Sequence, residues 1–107
     1  MIINLPNLSS IYQPQGGWMI KNDYTGSLGT DPLKGSWNRE LFCFKVYVIG
    51  EADDPSLKAE CYTQLAGKDG VKSFDQQEMT AETTVNGLNT INEWLDDCYL
   101  KYKEKYQ

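Results

Sequence analysis

The stretch Leu41-Phe42-Cys43-Phe44-Lys45-Val46-Tyr47-Val48-Ile49 constrains the fold more than any other part of the chain. Phe42, Phe44, Val46 and Val48 fall at every second position, which is the period of a strand with one apolar face. The other face carries Cys43, Lys45 and Tyr47, a mixture suited to a sheet covered on one side and partly wet on the other. Gly50-Glu51-Ala52-Asp53-Asp54-Pro55 reads as a turn. The run 56–66 then sets Leu57, Ala59, Cys61 and Leu65 against Lys58, Glu60, Tyr62 and Gln64. Both apolar sets must face one core. Phe44 must therefore pair with an odd-numbered residue such as Cys61 or Thr63, because a slip of one residue would turn the whole set to solvent. Gly67-Lys68-Asp69-Gly70 reads as a second hairpin turn, and 71–78 as a third strand.

A long helix is expected over 80–104. At 100° per residue, Ala81, Leu88, Ile91, Leu95, Cys98, Tyr99 and Tyr102 share one stripe. Glu82, Asn86, Asn89, Glu93, Asp96, Asp97 and Glu104 lie opposite. Thr80 is placed to cap the N-terminus. Glu82 in the first turn and Lys101, Lys103 and Lys105 in the last complement the helix dipole. Gly87 inside this helix costs about 1 kcal/mol relative to alanine, so a kink or a close contact is expected there.

Upstream, Trp18, Ile20 and Tyr24 alternate with Lys21 and Asp23 as in a half-buried strand over 18–24. Residues 1–17, with Pro6, Pro14, Gly16 and Gly17, read as an extended arm with one short helical turn near Ser9–Tyr12. Residues 25–40, with Gly26, Gly29, Pro32 and Gly35, read as a long loop, a kind of segment that often carries function. A chain of 107 residues is one domain by size. The expected fold is α+β: a three- or four-stranded antiparallel meander with one long C-terminal helix packed on one face. Its core would be Phe42, Phe44, Val46, Val48, Leu57, Ala59, Cys61, Leu88, Ile91 and Leu95.

The sequence holds no histidine. That removes the usual general base, the commonest metal ligand, and the Ser-His-Asp and Cys-His classes of catalysis. Zinc finds no C-x-x-C, the acidic turn Glu51, Asp53, Asp54 lacks the order of a calcium loop, and Gly26-Ser27-Leu28-Gly29-Thr30 lacks the Lys-Ser/Thr of a phosphate loop. No cofactor and no metal site is expected, and neither is an enzyme. Cys43, Cys61 and Cys98 are odd in number, widely spaced and set in apolar patterns, as reduced buried thiols are. The one thiol with a candidate activating neighbour is Cys43, one pleat from Lys45.

Fifteen acidic against ten basic residues give a net charge of −5. Phosphate neutralisation dominates nucleic-acid binding, so direct contact with nucleic acid or with an anionic membrane is disfavoured. A basic protein partner fits this charge better. No apolar run is long enough to span a bilayer, and Met1–Pro6 lacks the pattern of a signal peptide, so a cytoplasmic location is expected.

Candidate partner-binding residues fall in three groups. Trp37 and Arg39 lie in the long loop and are of hot-spot type. Glu51, Asp53 and Asp54 form the acidic turn. Glu93, Asp96, Asp97 and Leu100 lie on the polar helix face, the leucine ringed by carboxylates. The favoured reading is a non-enzymatic acidic binding module, most concretely an inhibitor of a basic nucleic-acid-binding protein whose carboxylates stand in for phosphates. Small anti-defence proteins of phages and mobile elements, such as anti-CRISPRs, are similar in size and charge class, though no motif carries that likeness. One alternative is an assembly subunit of an oligomer, joined through Tyr99, Tyr102 and Tyr106. The other is a thiol enzyme using Cys43.

Overall fold

The computed structural model describes residues 3–15, 18–29, 39–51, 53–67 and 70–106. The elements are a 3-10 turn (Leu8–Ser10), β1 (Tyr12–Gln15), β2 (Trp18–Lys21), β3 (Tyr24–Gly29), β4 (Arg39–Ile49), β5 (Ser56–Gly67), β6 (Gly70–Glu82) and α1 (Val85–Tyr106). β1 and β2 form a hairpin, and β3-β4-β5-β6 form one four-stranded antiparallel sheet in sequence order. The long helix packs on β6, β5 and β4, so the fold is α+β as the sequence implies.

The parity argument holds residue by residue. Phe44 pairs with Cys61, Val46 with Ala59, Val48 with Leu57 and Phe42 with Thr63. All eight are buried beneath the helix. The opposite face pairs Lys45 with Glu60 and Tyr47 with Lys58. There the Tyr47 hydroxyl donates to Glu60 Oε1 at 2.9 Å, Lys58 Nζ stands 3.4 Å from Glu78 and 3.8 Å from Glu60, and Lys45 Nζ stands 3.3 Å from Asp23. Opposite charges on this exposed face complement the strand pairing, screened by solvent.

Four sequence expectations need correction. The extended arm expected over 1–17 is instead packed and hydrogen-bonded over its described part, 3–15. Ile3 and Ile11 are buried, and Leu5, Leu8 and Tyr12 pack against the same cluster. The segment is held by polar groups of the helix: Asn92 Nδ2 donates to the Ile3 carbonyl at 2.6 Å, Asn92 Oδ1 accepts the Leu5 N–H at 3.1 Å, and Asp96 Oδ1 accepts the Ile3 N–H at 2.8 Å. Second, the strand expected over 18–24 is two strands. It breaks at Asn22-Asp23, where the Asn22 N–H donates to the Ile11 carbonyl. Third, the loop expected over 25–40 begins as β3 and ends as the start of β4, with 30–38 outside the described residues. β3 fits because Gly26 faces Phe44, and a Cβ there would stand 2.5 Å from the Phe44 ring.

Fourth, the helix starts at Val85 rather than at Thr80. Met79 and Ala81 continue the two-residue period of β6 and pair with Ala59 and Leu57. Thr84 is the cap: its hydroxyl accepts the Gly87 N–H at 3.0 Å, and its carbonyl accepts the Leu88 N–H at 2.9 Å. No acidic residue stands in the first turn, since Glu82 belongs to the strand. Gly87 is a close-contact position. A Cβ there would lie 1.9 Å from the Glu82 carbonyl oxygen, where the chain folds back from β6 into α1.

Gly87→Ala therefore sets about 1 kcal/mol of helix propensity against a backbone clash. Overpacking of this kind costs about 1–3 kcal/mol. Urea unfolding is expected to show a net loss of stability, and an Ala variant as stable as the parent would contradict the contact.

Candidate functional site

The polar face of α1 is the clearest concentration of the expected partner residues. Glu93, Asp97 and Leu100 are exposed, Leu100 by 49%, and their spacing of four and three residues puts them on one stripe. Glu93 and Asp97 take no part in the ion pairs Lys45–Asp23, Lys58–Glu60 and Lys58–Glu78. Glu51, Asp53 and Asp54 are exposed at the β4–β5 turn, where the Asp54 N–H donates to the Glu51 carbonyl at 3.0 Å. That turn lies at the same end of the molecule as the helix N-terminus, because Ser56 pairs with Glu82 just before α1 begins.

Three expected residues do not join this surface as read from sequence. Asp96 is half-buried and spends one carboxylate oxygen on the Ile3 N–H. Trp37 lies outside the described residues. Arg39 opens β4 opposite Ala66, and nothing of its side chain is described. Leu100 also loses Glu82 from its ring of carboxylates, because that residue sits in β6. Of the tyrosines expected to make an assembly contact, Tyr99 and Tyr102 turn inward, and the side chain of Tyr106 lies outside the described residues. Tyr102 is buried and Tyr99 half-buried, and their rings lie 5.7 and 5.6 Å from Phe42.

The three thiols are buried and free. Cys43 sits opposite Tyr62 on the wet face of the sheet, and its Sγ donates to Gln64 Oε1 at 3.8 Å. Burial raises its pKa, with a contact to Tyr62 opposing in part. Lys45, the expected activator, is turned to Asp23 and lies over the Tyr47 ring at 4.8 Å. The Cys43 environment thus favours the thiol over the thiolate, the reverse of an activated nucleophile. Cys61 and Cys98 face each other between β5 and α1, and Cys98 Sγ donates to Gln77 Oε1 at 3.7 Å. Burial and the neighbouring Cys98 push Cys61 up to about 12. No three Cys, Asp or Glu side chains among the described residues stand close enough to hold a metal ion.

Between Cys61↔Gln77 and Thr63↔Phe74 the β5–β6 ladder slips, so Tyr62 opposes both Asp75 and Gln76. Asp75 takes a left-handed φ of 57°, the one non-glycine residue to do so among those described. A β-bulge of this kind bends its strand and increases the local twist. A cavity of about 360 Å³ lies beside it, floored by Phe42, Cys61, Cys98 and Tyr102 and rimmed by Gln77 and Lys101. No family model, curated protein or solved structure matches the chain. Among the described residues no helix is long and apolar enough to cross a membrane.

The Cys61 shift has a stability consequence. The unfolded thiol ionises near its ordinary value of 9.0, whereas the folded one holds its proton to about 12. The folded state binds more protons in that window, so its advantage is complete below pH 9 and is lost as pH rises toward 12. Urea midpoints are expected to fall over this range, and Cys61→Ala to make the fall shallower. A parallel profile in the variant would contradict the assigned shift.

Proposed function

We propose that this chain is a non-enzymatic protein-binding module whose partner is a basic protein, in its most concrete form a protein that it blocks from nucleic acid. The observation that carries the reading is the outward stripe of α1. Glu93 and Asp97 are one turn apart, exposed and in no ion pair, and Leu100 stands next to them. Like charges one turn apart destabilise a helix by about 0.2–0.5 kcal/mol, a cost that a cation from a partner reverses. The exposed leucine supplies an apolar contact inside that charged field.

The net charge of −5 supports steering toward a basic surface, with on-rates that fall as salt screens the field. The acidic turn Glu51, Asp53, Asp54 adds charge at one end of the same molecule. The buried, proton-holding thiols and the absence of histidine give no support to the alternative of a thiol enzyme.

The test is retention of proteins from a lysate of the source cells at low salt, with the immobilised chain as bait. The parent is expected to retain a basic protein that elutes as salt rises. Glu93→Lys with Asp97→Lys is expected to lose it, while Asp96→Asn, at a residue committed to the N-terminal segment, is expected to keep it. No basic protein retained, or retention indifferent to the double reversal, overturns the reading.

A further inference from the structure

Among the described residues, no strand pairs with the last strand of the sheet along its outer edge. β6 pairs with β5 on one side and is the terminal strand of the order β3-β4-β5-β6. Its side chains at Lys72, Ser73, Gln76, Gln77, Glu78 and Thr80 are exposed. An edge strand of this kind offers a row of backbone N–H and C=O groups to another strand. Beside it lies the bulge cavity, about 360 Å³, lined on the β6 side by Asp75, Gln76 and Gln77. Pockets of about 300–1,000 Å³ are the size that take an anchoring group.

We propose that β6 is a docking edge for an extended peptide segment of a partner, added as a fifth antiparallel strand with one apolar side chain seated in the bulge cavity. The inference rests on the protein-binding reading above and assigns it a second, separate surface. Main-chain hydrogen bonds would hold such a strand, and alternate side chains would select it. The register fixes what those side chains meet. Gln77, Met79 and Ala81 stand on the helix side of β6, since they pair with Cys61, Ala59 and Leu57 of the buried face. Glu78, Thr80 and Glu82 stand on the wet side, and between Gln76 and Glu82 β6 carries no basic residue. Glu78 shares Lys58 with Glu60, and its side chain stays 59% exposed.

The chemistry of the segment follows. Opposite Gln77 stands the apolar anchor. The residue before it, opposite Glu78, is basic, and so is the one four earlier, opposite Glu82. The residues between alternate, apolar toward the helix and polar toward the wet face. The stretch from Gln77 to Glu82 spans five steps of about 3.4 Å, so a six-residue core segment covers it.

A synthetic peptide with the core Lys-Val-Thr-Val-Lys-Phe, capped at both ends and labelled, is the probe. Anisotropy at low salt is expected to show saturable binding to the whole chain, with amide NMR shifts along 72–82. Replacing the Phe by Gly is expected to weaken binding about tenfold or more, the worth of one buried aromatic side chain. Glu78→Lys is expected to weaken it about tenfold and to be rescued by a peptide with Glu for the lysine before the anchor. Gln77→Trp fills the cavity from an exposed position and is expected to abolish the preference for Phe over Gly while circular dichroism shows the fold intact. Asn89→Ala, at an exposed position of α1 outside both surfaces, is expected to leave peptide affinity unchanged, and amide shifts along 72–82 rather than along α1 separate this edge from the helix-face reading. No saturation by about 1 mM, affinity indifferent to Glu78→Lys, or shifts confined to α1 overturns the proposal.

Discussion

The shared apolar face of β4 and β5 dictates most of what surrounds it. Phe42, Phe44, Val46, Val48, Leu57, Ala59, Cys61 and Thr63 lie on one side of two paired strands, so one side of the sheet must be kept dry. A helix about 10–12 Å across is narrower than the roughly 14 Å of three strand spacings in a four-stranded sheet. α1 sits closest to β6 and β5, and a second covering element is required. The N-terminal segment is that element, with Ile3, Leu5, Leu8 and Ile11 joining the cluster of the helix and sheet.

An irregular segment cannot supply its own backbone partners when it is buried, and the helix supplies them. Asn92 is 5% exposed, and its amide bonds both the Ile3 carbonyl and the Leu5 N–H, as a neighbouring strand would. Asp96, one turn on, takes the Ile3 N–H. The polar residues of α1 thus have divided roles. Asn92 and Asp96 face the chain's own N-terminus, while Glu93 and Asp97 face outward. Two adjacent carboxylates that look alike in sequence, Asp96 and Asp97, differ by 100° around the helix and serve the fold and the surface respectively.

The sheet register and the helix stripe were legible because each is a periodic signal with a single physical solution. Phe44 had to meet an odd-numbered residue, and it meets Cys61. The misread parts lack such a period. Ile3 and Ile11 are eight residues apart in a proline-bearing stretch, and only the tertiary bonds to Asn92 and Asp96 show where they go. The start of the helix was misplaced because Ala81 fits both a two-residue and a 3.6-residue period. Thr84 and the tight fold-back at Gly87 decide between them. Of the candidate site, the exposed stripe Glu93, Asp97, Leu100 followed from helix geometry. The cavity did not, because a bulge is a change of parity within one strand and not a motif.

The same bulge, together with the carboxylates of β6, explains how a long open edge coexists with a folded chain. An antiparallel copy of β6 centred on Thr80 would set Glu78 of each chain opposite Glu82 of the other, which like-charge repulsion disfavours. Centring further toward Gly70 runs the ladder into Asp75, whose left-handed backbone breaks the strand. Self-pairing is thus opposed by charge in the register centred on Thr80 and by geometry toward Gly70. Neither block applies to a basic segment with an apolar residue at the bulge. For that segment the carboxylates attract and the bend in the strand becomes a pocket. The features that keep the edge from pairing with itself are also the ones that would make it selective.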